Sequence, residues 1–263
     1  MTDTLPAPLD VRLMNQIASI LLMVCVVLVL AAGAWWALRH PAFSIGRIVV
    51  QGDLLHNNAV TLRANVAPQL TGNFFTIDLY AARSAFQQVP WVRSAQVRRE
   101  YPRTLQIVLQ EHQPVAHWVS DSGTSLVNTQ GEVFEADSGD DLDDLPRWNG
   151  PQGQSALVFK MYGLLKPVLE PLNMVPAELV LSNRGGWRMT THSGAALELG
   201  GGTPEEVLQR TQRFTRTLVQ VAAHHGRRID TLESADLRHT GGYALRLRGV
   251  ATAAAGAMTA VRK

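Results

Sequence analysis

Three carboxylates, Glu100, Glu111 and Asp121, come close enough in the chain to be weighed as a general acid and base. On a membrane-anchored chain such a pair would suit a cell-wall hydrolase or transferase. Sequence spacing does not single them out, because geometry defines a catalytic pair and any region of this size offers candidates. Gly200-Gly201-Gly202 precedes a helix start, a place where backbone N–H groups hold phosphate. No Lys-Ser/Thr follows, and Glu205 and Glu206 would repel an anion, so a strand-to-helix turn explains the glycines. His224-His225 closes a helix, where a cationic ring suits the dipole, and the His-Glu-x-x-His spacing of zinc sites is absent. Ser193 lacks the flanks of a nucleophile elbow and reads as a hairpin turn. The acidic stretch Glu132–Asp144 lacks calcium-loop spacing and reads as a solvated loop. The chain is therefore read as non-enzymatic, with no catalytic residue, no metal site, no cofactor and no small-molecule substrate.

What must be positioned instead is a large body behind a membrane anchor. Leu13–Leu38 carries no charge. Its core, Ile17–Leu38, supplies roughly 22 helical residues, about 33 Å, enough for a hydrocarbon layer of about 30 Å. Trp35 and Trp36 suit the headgroup level, and Arg39 and His40 follow at the water boundary. A cleaved signal is the rival, with Ala31-Ala32-Gly33-Ala34 imitating a cleavage site. The apolar run is too long for that, and Asp3 and Asp10 oppose Arg12 where a signal would be basic. An uncleaved single-pass anchor is expected, with residues 1–16 as a cytoplasmic leader, disordered over residues 1–12, and residues 40–263 outside the cytoplasm. Charge alone does not orient it.

The net charge is +2, and the body is clearly basic once Glu132–Asp144 is set aside. That excess suits an anionic lipid, an acidic polymer or an acidic protein partner. No nucleic-acid module is present. The one cysteine, Cys25, lies in the membrane segment, which excludes a disulfide framework.

Periodicity gives a strand over Ile45–Gln51, then a helix over Asn57–Leu70 with Val60, Ala64 and Ala67 on its apolar face. A second helix, Leu79–Gln88, is capped by Asp78 and buries Leu79, Ala82 and Phe86. Pro90-Trp91 ends it, with Trp91 as core or hinge. Strands Val92–Glu100 and Thr104–Glu111 follow around the Tyr101-Pro102-Arg103 turn, the second pointing Leu105, Ile107 and Leu109 inward. From Pro114 the pattern becomes short strands and turns, with helices over Leu157–Leu169 and from Thr203 to Gly226. The later helix buries Val207, Leu208, Phe214, Leu218 and Val221. Two last strands, Leu232–Arg238 and Gly242–Arg248, flank a turn, and residues 250–263 read as a disordered tail.

The last strand alternates strictly, with Tyr243, Leu245 and Leu247 on one face and Ala244, Arg246 and Arg248 on the other. The chain stops soon afterwards, so this strand is expected at a sheet edge. Either it accepts a partner strand, or Arg246 and Arg248 blunt it against pairing.

Phe43–Trp118 resembles the POTRA domain of the FtsQ/DivIB family of bacterial division proteins. The matching groups are Ile48-x-Val50-x-Gly52, Asn73-Phe74-Phe75-x-Ile77-Asp78-Leu79 and Val89-Pro90-Trp91-Val92. Tyr101-Pro102-x-x-Leu105 and Glu111-His112-x-Pro114-Val115-Ala116-x-Trp118 complete them. Asn128-x-x-Gly131, Leu145-Pro146 and Asp236-Leu237-Arg238 extend the likeness over the rest. The resemblance implies an α+β chain: one transmembrane helix (17–38), a β-α-α-β-β POTRA domain (43–113) and a β-rich domain with helices (114–249). It also implies a non-catalytic scaffold of the bacterial inner membrane, enriched at the septum, that recruits FtsB- and FtsL-like coiled-coil proteins. In that family the last strand captures FtsB, which would make Arg184, Arg238, His239, Tyr243, Ala244, Leu245, Arg246 and Leu247 partner-binding. His239 stands where the family often has Tyr, and Leu247-Arg248 where it often has Trp. A POTRA-bearing export component is the alternative, but its outer-membrane barrel needs more amphipathic strands than this chain supplies.

Overall fold

The computed structural model describes residues 9–121, 123–137, 142–224, 226–239 and 241–249. The expected tail, 250–263, lies outside the described residues, as does the leader before residue 9. Helix α1 runs Leu9–Leu38, so residues 9–12 are helical where a disordered leader was expected. Its apolar stretch, Asp10–Leu38, has the length and composition to cross a membrane. The chain divides into two compact units, Met1–Glu111 and His112–Lys263.

The first unit adds to α1 a three-stranded sheet and two helices: β1 (Arg47–Gly52), α2 (Ala59–Val66), α3 (Leu79–Gln87), β2 (Val92–Glu100) and β3 (Thr104–Glu111). The strand order is β1-β3-β2, with β3 parallel to β1 and antiparallel to β2. Asp78 caps α3 by accepting from Tyr80 and Ala81 N–H at 2.8 and 3.1 Å. Gly52 sits at φ +109°, where a Cβ would fall 2.0 Å from the Leu109 carbonyl, so only glycine fits the end of β1. Leu105, Ile107 and Leu109 point into a core shared with Ala82 and Phe86. The apolar face of α2 differs from the expected one: Val60 is 70% exposed, while Leu62 and Val66 are buried. Both sets fit helical spacing, and the larger pair takes the core.

The second unit is one mixed sheet of nine strands with two helices. Its elements are β4 (Pro114–Ser120), β5 (Gly123–Asn128), β6 (Val133–Phe134), β7 (Arg147–Asn149), α4 (Ser155–Leu169) and β8 (Pro176–Leu181). Then come β9 (Trp187–Thr191), β10 (Ala196–Gly200), α5 (Pro204–His224), β11 (Leu232–Asp236) and β12 (Ala244–Leu247). The order is β12-β11-β10-β9-β8-β7-β4-β5-β6. Helix α4 connects parallel β7 and β8, and α5 connects parallel β10 and β11, so each helix is a crossover. Buried Asn128 organises the turn after β5, accepting from Gln130 and Glu132 N–H, both at 2.9 Å. Thr203 and Glu206 cap α5 reciprocally: Thr203 N–H donates to the Glu206 carboxylate and Glu206 N–H to the Thr203 hydroxyl. The buried positions of α5 are Val207, Thr211, Phe214, Leu218 and Ala222, while the expected Leu208 and Val221 are half-buried. Thr211 can be buried because its hydroxyl donates to the Val207 carbonyl at 2.9 Å.

Candidate partner-docking site

Glu100 and Glu111, two of the carboxylates first weighed for catalysis, are not assembled into a pair. Glu100 and Glu111 stand at opposite ends of the β2–β3 hairpin, about 20 Å apart at strand rise. Asp121 sits in the exposed turn between β4 and β5, in the other unit. Glu111 is 4% exposed and accepts from Leu55, His56 and Asn57 N–H, all at 3.0 Å, and from the Asn57 amide at 2.9 Å. Burial pushes its pKa up, but these hydrogen bonds outweigh that and hold the carboxyl below its ordinary value. Its role is to pin the loop after β1. Among the described residues no three His, Cys, Asp or Glu side chains are grouped to hold a metal ion.

The second unit offers a surface. β12 pairs with β11 on one side, and among the described residues no strand pairs with its other side. Its inward face is fastened to α5. Tyr243 meets Phe214 edge-on, with centroids 5.0 Å apart, and its hydroxyl lies 2.8 Å from the Thr217 hydroxyl. Leu247 is buried, and Leu245 packs half-buried against the same core. The opposite face shows Ala244, Arg246 and Arg248 to solvent.

Backbone direction follows from two bonds. Arg248 N–H donates to the Thr231 carbonyl at 2.8 Å, and Leu237 N–H donates away from β12, to Glu198 on β10, at 2.8 Å. By the alternation of an antiparallel ladder, Ala244 and Arg246 point their N–H groups at β11. Tyr243, Leu245 and Leu247 point theirs outward. The free edge therefore carries its donors on the residues whose side chains anchor it.

Arg238 and Arg246 beside the edge have acidic partners within the chain. Arg238 grips Asp236 two residues earlier: its Nε lies 2.9 and 3.1 Å from the two carboxylate oxygens and its Nη2 2.6 Å from one. That hydrogen bonding holds the Asp236 carboxyl at about 2, with His239 adding positive charge nearby. Arg246 pairs with Glu233 across the strands at 3.1 Å. From sequence, Asp236 stands out only within the Asp236-Leu237-Arg238 likeness and Glu233 not at all, although Asp-x-Arg on one strand face is a readable ion-pair spacing. Arg184 is exposed in the β8–β9 turn. A Cβ on Gly200 would come within 3.0 Å of the Arg238 side chain, and one on Gly201 within 3.3 Å of the Gly185 carbonyl. Arg238, the Gly200–Gly202 turn and the turn carrying Arg184 thus meet at one end of the sheet. The structure brings Arg238, His239 and Tyr243–Leu247 together at one corner, and Arg184 borders it.

Two family models cover most of the chain. The POTRA domain of FtsQ type matches residues 43–112, and the C-terminal region of cell division protein FtsQ/DivIB matches residues 116–238. Cell division protein FtsQ of Burkholderia pseudomallei is 38% identical over 242 residues, 92% of this chain and 94% of that protein. That of Thiomonas arsenitoxydans is 38% identical over 246 residues, 92% and 89% of the two chains. That of Bordetella pertussis is 37% identical over 257 residues, 90% and 92%. An N-terminal helix long and apolar enough to cross a membrane, an FtsQ-type POTRA domain and a β-rich region with helices, with relatives matched along this length, place the chain in the FtsQ/DivIB family of cell division proteins.

Proposed function

We propose that this chain is a non-catalytic scaffold of the bacterial division machinery that captures a bitopic coiled-coil protein of the FtsB/FtsL kind on β12. The N-terminus lies in the cytoplasm and residues 40–263 in the periplasm, and the protein gathers at the septum. The supporting observation is the β12 edge itself. Tyr243 fastens it to α5 and Leu247 is buried in the core, so the strand is held in place while its outward N–H groups wait for a second strand. The partner-binding residues are Tyr243, Ala244, Leu245, Arg246 and Leu247 on the strand, with Arg238, His239 and Arg184 around the corner. Charge blunting of the edge is weakened by the Arg246–Glu233 pair, which leaves no net charge on that face at its centre.

Proline separates the two sides of the strand. Leu245→Pro removes an outward donor, and Ala244→Pro removes one of the donors that hold β12 to β11. Leu245→Pro should fold and lose FtsB in a membrane pull-down, while Ala244→Pro should cost more in melting temperature. Normal retention of FtsB by a folded Leu245→Pro variant would contradict strand addition.

A further inference from the structure

Exposed phenylalanines are uncommon on a unit that also has a closed core, and two of them touch. Phe43, 36% exposed, and Phe75, 46% exposed, meet edge-on with ring centroids 5.1 Å apart. The turn that carries Phe75 is pinned from within. Asn73 Oδ1 accepts from Phe75 N–H, Thr76 N–H and the Thr76 hydroxyl, each at 3.0 Å. Arg99 donates to the Phe74 and Ile77 carbonyls, both at 2.7 Å. Phe74 points inward and is buried, and its N–H donates to the Phe43 carbonyl at 2.9 Å. With its neighbours so fixed, Phe75 is presented outward and cannot fold back into the core.

The position of this ridge gives it a partner. The Asn73 amide donates to the carbonyl of Leu38, the last residue of α1. The two rings therefore belong to the segment beside the exit of the anchoring helix, whose last turn carries exposed Trp35 and Trp36, with Arg39 stacked 4.2 Å over the Trp35 ring. The same end of the β1-β3-β2 sheet carries the Tyr101–Arg103 turn. There Tyr101 is 85% exposed, and the Arg103 carbonyl accepts from Gly46 N–H at 2.9 Å. Charges near this end include Arg39, Arg47, Arg99 and Arg103 against Asp78 and Glu100. Aromatic rings with arginines beside them, continuous with a membrane-crossing helix, match the headgroup layer, where rings bury and cations meet lipid phosphate.

We propose that the Phe43–Phe75 ridge is a membrane foot: it inserts into the headgroup layer of the leaflet from which α1 emerges and holds the POTRA sheet against that surface. The bilayer is the occupant because α1 already fixes this end of the unit there. Leu55, 86% exposed, lies beyond the other end of β1, about 20 Å along the strand, and should stay in water.

The test uses the full chain in vesicles of phosphatidylethanolamine and phosphatidylglycerol, with Cys25→Ala removing its one cysteine. Nitroxide labels are placed in turn through Phe75→Cys, Phe43→Cys, Leu55→Cys and, as a standard for the bilayer core, Val29→Cys. The labels at positions 75 and 43 should be relaxed strongly by oxygen and several-fold less by a water-soluble nickel chelate than the label at 55. Equal nickel accessibility at 75, 43 and 55, with position 29 shielded, would overturn the foot and leave the anchor standing. A wet label at 29 would overturn the anchor and the foot together. Should Phe75→Cys disturb folding, as read by circular dichroism, the Phe43→Cys label decides alone.

Discussion

His56 lies flat on Trp91, their ring centroids 3.7 Å apart and their planes 2° from parallel. The indole is 8% exposed, and Trp91 holds a left-handed backbone at φ 73°, a conformation that non-glycine residues adopt only where the surroundings fix it. The stack joins Trp91, in the segment between α3 and β2, to the loop that Glu111 pins. Trp91 is thus a structural clamp between two segments of the first unit.

Replacing Trp91 with Ala should cost about 3–5 kcal/mol, the usual cost of truncating a buried aromatic. Thermal unfolding of the full chain measures it. An unchanged melting temperature together with lost recruitment of division proteins would show that Trp91 touches a partner instead.

Glu111→Gln should weaken the fold by about 1–3 kcal/mol, because the amide puts an N–H₂ group against N–H donors that the carboxylate now satisfies. Its folded pKa is depressed, so its contribution is fully present above the ordinary carboxylate range. That contribution falls away as pH drops through the lowered folded value. Melting temperature measured against pH should therefore fall more steeply on acidification in the parent than in Glu111→Gln. Parallel curves would show that the loop is held by something other than this carboxylate.

The Asp236–Arg238 pair makes a prediction at the docking corner. The Arg238 hydrogen bonds hold the Asp236 carboxyl down at about 2, below the ordinary aspartate value of 3.8, so the pair persists as pH falls through the ordinary carboxylate range and is lost toward pH 2. Carboxyl chemical shifts followed by NMR would locate that step. Arg238→Glu should weaken FtsB retention and flatten its salt dependence, while Asp236→Asn should change melting temperature little because the pair is exposed. Unaltered retention by Arg238→Glu at low salt would remove Arg238 from the site.

Much of the fold is legible along the chain. Strands β2 and β3 follow from the alternation of Val92–Glu100 and Thr104–Glu111, and the start of α3 from Asp78. The side chains that reach the core from α2 are not, because Val60, Ala64 and Ala67 match the helical period as well as Leu62 and Val66 do. Only the bulk available above the sheet decides between them. Nor does local pattern reveal that nine short strands form one sheet, since the parallel joins β4–β7, β7–β8 and β10–β11 link residues far apart in sequence. At the site, the alternation of Tyr243–Arg248 locates the edge, but the occupation of Arg238 and Arg246 by Asp236 and Glu233 depends on strand register.

Residue-resolved hydrogen exchange on β12, in the full chain with and without FtsB, tests strand capture most directly. The account predicts new protection at the Leu245 and Leu247 amides, which face outward, with little change at Ala244 and Arg246, already bonded to β11. FtsB bound at saturation with the Leu245 and Leu247 amides exchanging as fast as in its absence would contradict it.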